Sequence, residues 1–167
     1  MDPLLYVYAP LISAPEVHSL LQALQDSGYS ITHLGKKDPP KKWSGTLEEA
    51  EATVLSGSDT TLYSHIRDAN RRLDMTIEIH RDIRWKHSTI SVSLPEEEPL
   101  RSLGACVAGR IRSFAIILGR SGAGKNQAWQ VLRLSDDCPA DLAAGFSKGL
   151  PIQPPQTTPG SCAPLRV

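Results

Sequence analysis

The sequence predicts an α+β fold: a mixed, mostly antiparallel sheet with helices on one face, in the order β-α-β-(α)-β-β-β-α-β. This is loosely the ferredoxin-like arrangement with an extra strand. Three observations carry that prediction. From Leu73 to Leu94 (LDMTIEIHRDIRWKHSTISVSL) apolar residues alternate with polar ones in two runs, first Leu73, Met75, Ile77 and Ile79, then Ile90, Val92 and Leu94. A period of two, repeated, is the signature of a β-hairpin with one apolar face to cover. Apolar stripes at helical spacing lie on both sides of it and supply the cover, Val17, Leu20, Leu21 and Leu24 before, Leu100, Leu103, Val107, Ile111, Phe114 and Leu118 after.

Taken in order, Leu4 to Ala9 (LLYVYA) is a short apolar and aromatic run ended by Pro10, the pattern of a buried first strand. Ser13-Ala14-Pro15-Glu16 then fits a capping box, with proline where a helix has no internal hydrogen bond to lose. Gly28 is placed to stop that helix. Tyr29 to Leu34 alternates again as a second strand. A strand, a helix and a strand make a crossover unit, right-handed if the strands are parallel neighbours. Gly35 to Gly45 (GKKDPPKKWSG) reads as a solvated loop. Thr46 and Glu49 offer a second capping box for a short helix to Gly57, and Thr61 to Arg67 is the strand entering the hairpin.

After the hairpin, Glu96-Glu97-Glu98 suits the positive end of a helix dipole. The six-position seam from Leu100 to Leu118 predicts one long helix stopped at Gly119, and Gln127 to Leu134 a closing strand. These elements place a single α+β domain at 1–137, a short helical extension at 138–148 and a Pro-rich, disordered tail at 149–167.

Bulk properties narrow the function. Among 167 residues, 18 basic side chains balance 18 acidic ones, so net charge points neither to nucleic acid nor to anionic lipid. Cys106, Cys138 and Cys162 are odd in number and lack CxxC spacing, which argues against a disulfide framework and for a reducing compartment. No window approaches eighteen unbroken apolar residues and the start lacks the charge of a signal peptide. No membrane partner is expected, and the expected location is cytoplasmic.

The sharpest string is Gly119-Arg120-Ser121-Gly122-Ala123-Gly124-Lys125, which matches GxxxxGK. In P-loop NTPases, which it resembles over these seven residues, backbone amides cradle phosphates and the lysine bridges them. Gly119, Gly124 and Lys125 would hold the nucleotide here. The hydroxyl that should follow the lysine is replaced by Asn126, and the residues beyond alternate like a strand. A glycine-rich connection is the better reading, and no cofactor is assigned.

The histidines give one pair. If the hairpin turns at Ile83-Arg84, His80 lies opposite His87 beside Glu78, a metal site still short of the three or four ligands it needs. Cys106, one step from the apolar seam, reads as a small buried hydrophobe. No nucleophile or acid/base pair can be nominated, so the sequence leans away from an enzyme.

Two features suit a partner. The lysine loop 36–42 has Lys41 and Lys42 beside Trp43, which can hold phosphate and stack a base or contact a protein. The polar sheet face would gather Tyr63, His65, Arg67, Glu78, His80, Trp85 and His87 by parity. A face of mixed charge with aromatic residues fits a protein surface better than phosphate. The sequence therefore points to a small, non-catalytic, cytosolic protein-binding domain, adaptor or toxin-immunity-like. Nucleotide or nucleic-acid binding through loop 119–125 or loop 36–42 is the alternative.

Overall fold

In a computed structural model, residues 3–35, 59–68, 73–94, 97–122 and 125–141 are described. Seven strands form one sheet: β1 (Pro3–Pro10), β2 (Tyr29–Gly35), β3 (Asp59–Asp68), β4 (Leu73–Asp82), β5 (His87–Ser93), β6 (Ala115–Gly122) and β7 (Lys125–Leu134). Among the described residues two helices accompany them, α1 (Ala14–Asp26) and α2 (Glu97–Ala108). The sheet order is β2-β3-β4-β5-β1-β6-β7. The α+β class with helices on one face is as the sequence predicts. Every neighbouring pair is antiparallel, so the sheet is not mixed.

The two crossovers explain the order. β1 and β2 are parallel, yet β3, β4 and β5 lie between them, so α1 spans three strands rather than joining neighbours. α2 carries the chain from β5 to β6 across β1, which is thereby held on both sides. That second crossover is the ferredoxin-like step.

Both helices pack on the same face. Leu5 and Val7 of β1, Ile90 and Val92 of β5, Ile77 and Ile79 of β4, Leu62 and Ile66 of β3, and Ile116 and Leu118 of β6 form one cluster with Val17, Leu20, Leu21 and Leu24 of α1 and Leu100, Leu103 and Val107 of α2. Each such side chain contributes about 1.5–3 kcal/mol when fully buried. The capping box of α1 is formed: Ser13 Oγ accepts from the Glu16 amide at 3.3 Å, and Glu16 Oε1 accepts from the Ser13 amide at 3.1 Å. Glu16 Oε2 also accepts from the Arg112 amide at 3.0 Å, which ties the start of α1 to the segment after α2. Gly28 ends α1 at φ 105°, a backbone conformation that side chains resist.

The second half of the predicted long helix is wrong. α2 stops at Ala108, and 115–122 is strand β6. Ile116 and Leu118 face the helices while Ala115 and Ile117 face the other way, and all four are buried. A strand buried on both faces has no polar alternation to show, and its apolar run falls in step with a helical seam.

Cys106 is buried, as its place beside the seam predicts, but it is disulfide-bonded, whereas Cys138 is a free thiol. The odd count argued the other way, and the cysteines no longer speak for a reducing compartment. Neither described helix, at 13 and 12 residues, is long and apolar enough to cross a membrane. The predicted helix from Thr46 to Gly57, most of the 138–148 extension and the 149–167 tail lie outside the described residues.

Candidate functional site

With both helices on one side, the opposite sheet face is the surface to read for function. Its residues follow from the register. One row runs Tyr63, Glu78, Ser91, Tyr6, Ile117; the next runs Thr61, His80, Thr89, Tyr8, Ala115; a third runs His65, Thr76, Ser93, Leu4. The face is graded. Polar and aromatic groups occupy β3, β4 and β5, while Leu4, Ala115, Ile117 and Val131 make a buried apolar patch on β1, β6 and β7. Parity thus places Tyr63, His65, Arg67, Glu78, His80 and His87 together, as the sequence expects. Lys41, Lys42 and Trp43 lie outside the described residues.

Trp85 is a correction. It does not stand on the strand face but in the β4–β5 turn, which spans Ile83 to Lys86 instead of pivoting at Ile83-Arg84. Asp82 Oδ1 accepts from the Trp85 amide at 3.1 Å, the Lys86 amide donates to the Ile83 carbonyl at 3.3 Å, and Lys86 adopts φ 56°. A four-residue loop closed by a left-handed residue replaces the two-residue turn. Trp85 is 65% exposed and Ile83 38%, and the Arg84 guanidinium stands 5.3 Å from the centre of the Trp85 ring.

The longer turn also shifts the histidines. His87 pairs with Asp82, and His80 pairs with Thr89, so the two imidazoles are diagonal rather than opposite. His80 Nδ1 is hydrogen-bonded to Thr61 Oγ1 at 2.8 Å, and His65 Nδ1 to Thr32 Oγ1 at 3.2 Å. Among the described residues no group of three or more histidine, cysteine or acidic side chains could hold a metal ion.

The described part of the glycine-rich string, Gly119–Gly122 and Lys125, lies in paired strands and not at a strand–loop–helix junction. Gly119 pairs with Ala128 and Gly122 with Lys125 in the antiparallel β6–β7 hairpin, and Lys125 opens a strand, not a helix. Ladder amides are committed to the neighbouring strand and do not converge on an anion.

Sequence reasoning missed Tyr6 and Tyr8. Their rings lie 4.8 Å apart between centroids, tilted by 58°. The signal was present in LLYVYA, where Leu5, Val7 and Ala9 point to the helices and leave Leu4, Tyr6 and Tyr8 for the other face. Partial burial, with a hydrogen bond to Tyr6, pushes the Tyr8 phenol up to about 12 from 10.0. Unfolded, the phenol ionises near its ordinary value, so the folded state holds an extra proton between the two values. Stability is then full below that window and lost as pH rises through it. Replacing Tyr8 by Phe should flatten the alkaline branch of a stability-versus-pH curve between about pH 10 and 12. An unchanged branch in chemical denaturation would contradict this environment for Tyr8.

Comparison with protein-family models, with curated proteins and with solved structures found no match to this chain.

Proposed function

We propose that this chain is a small, non-catalytic protein-binding domain, adaptor or toxin-immunity-like. It meets its partner through the β4–β5 hairpin tip and the adjoining polar face of β3 to β5. The observation that carries this reading is Trp85: 65% exposed at a tip whose backbone is fixed by Asp82 and whose neighbour Arg84 lies close to its ring. Tryptophan and arginine dominate the energetics of protein interfaces, and an aromatic already held in place loses little freedom on docking. Ile83 widens the apolar contact, and Glu78, His80 and His87 supply a polar surround. From sequence, Lys41, Lys42 and Trp43 are a further candidate contact.

Trp85→Ala removes little folded-state packing, so stability should change by no more than about 0.5 kcal/mol. Affinity for the partner captured by the native chain should fall by about 2 kcal/mol or more, some thirtyfold in Kd. Arg112→Ala, away from this tip, should bind as the native chain does. Titration of both variants against that partner checks the reading, and undiminished affinity of Trp85→Ala would sink it.

A further inference from the structure

Between the end of α2 and the end of β7 lies a cavity of about 460 Å³, lined by residues 108–113 and by Arg133, Ser135, Asp136 and Asp137. We propose that it binds a small phosphorylated molecule, with the Arg110 and Arg133 guanidinium groups and the Ser113 hydroxyl holding the phosphate. This is separate from the hairpin tip and does not depend on it.

Charge is the first argument. Arg112 is paired with Asp137, and the Ser135 hydroxyl with that guanidinium holds the Asp137 carboxyl below the usual carboxylate range. The pair is satisfied internally. Arg110 and Arg133 are both half-buried, their guanidinium groups make no hydrogen bond or ion pair among the described residues, and exposed Asp136 is the one carboxylate left on the lining. Cation therefore exceeds anion. A guanidinium cannot shed its proton and presents several donors in a rigid plane, so two left without acceptors suit an oxyanion.

The second argument is independent. Ser113 lines the same cavity at 5% exposure, and its Oγ has no hydrogen-bond partner among the described residues. Nearly all buried hydroxyls in native proteins are satisfied, and this one shares its cavity with two guanidinium groups that also want an acceptor. A phosphate monoester turns three terminal oxygens outward and carries close to two negative charges, which matches two guanidinium groups and a hydroxyl better than a singly charged, planar carboxylate does. The cavity exceeds a bare phosphate and falls within the range of small-molecule sites, which argues for an organic ester.

The test is thermal denaturation and calorimetric titration of the full chain with ribose 5-phosphate and with inorganic phosphate, at ionic strength matched with sodium chloride. Ribose 5-phosphate should raise Tm saturably, by about 4 °C at ten times its Kd, with inorganic phosphate weaker. Arg110→Met and Arg133→Met should each weaken binding about tenfold or more without lowering the Tm of the free protein, since methionine keeps the apolar stem and no guanidinium hydrogen bond or ion pair is lost. Ser113→Ala should weaken binding while leaving that Tm equal or higher, because it removes an unsatisfied hydroxyl. Trp85→Ala should respond as the native chain does, which separates this site from the protein-binding surface. The proposal is overturned by no saturable response to either phosphate probe. It is equally overturned by an equal response in the Arg110→Met/Arg133→Met double variant, or by tighter binding of citrate than of both phosphates.

Discussion

Replacing Gly104 by leucine should lower stability by about 2–3 kcal/mol and Tm by about 5–10 °C. Gly104 sits on the side of α2 that meets β1, β6 and β7. A methyl group there would lie 3.3 Å from Leu132 Cδ1, 3.4 Å from Leu5 Cδ1 and 3.7 Å from Ile116 Cγ2. Alanine meets only the ends of two leucine side chains, which can yield. Its better helix propensity, worth about 1 kcal/mol, offsets the crowding, so Gly104→Ala should be near neutral. Leucine adds three more carbons into space already filled by Leu5, Leu132 and Ile116. The helix must then lift off β1 and β6, and part of the core opens. Thermal melts of the native, Ala and Leu forms settle the matter: a Leu form as stable as the native one would mean that α2 is not seated on β1.

The largest effect should come from Ile77→Asp, which is expected to abolish cooperative folding at neutral pH. Ile77 is fully buried in β4, with Val92 beside it on β5 and Ser64 on β3. No cation faces it from these positions. An ionised carboxylate there loses hydration with nothing in return, a penalty of about 5 kcal/mol or more against a typical total of about 5–15. Burial raises the pKa of the new group, so the penalty should shrink as acidification protonates it, and some structure should return. Thr76→Asp, one residue earlier and on the other face beside His65 and Ser93, should cost less than about 1 kcal/mol. Urea titrations of the two variants read out which face is the core. Equal losses would contradict the register of β4.

Which face of β4 is buried was legible from the chain, and so were the capping box and the stop at Gly28, because each depends on residues close in sequence. The β4–β5 hairpin alternates cleanly since one face is greasy and the other is not. β6 defeated the same reasoning because both of its faces are buried, and alternation needs a difference to report. The hairpin turn was misjudged by two residues, since its length depends on the Asp82 side chain reaching the Trp85 amide and on a left-handed Lys86. Neither is a glycine or asparagine that would announce the turn. On the face away from the helices, parity alone gathered Tyr63, His65, Glu78 and His80 correctly, whereas Trp85 fell out of the group with the turn. Arg110, Ser113 and Arg133 could not be grouped at all, because 110–113 read as helix interior and Arg133 comes from the far end of β7.

The position of β1 has a consequence for how the molecule assembles. Leu5 needs Val92 on one flank and Leu118 on the other, so the strand that leaves the ribosome before the other six waits longest for its second partner. The nascent chain can zip β2 through β5 into a meander early, but the slot beside β5 stays vacant until Leu4, Leu5 and Val7 return to it. Only then does β6 have an edge to add to. β1 is thus the keystone placed late, and its greasy residues stay uncovered until β5 has formed.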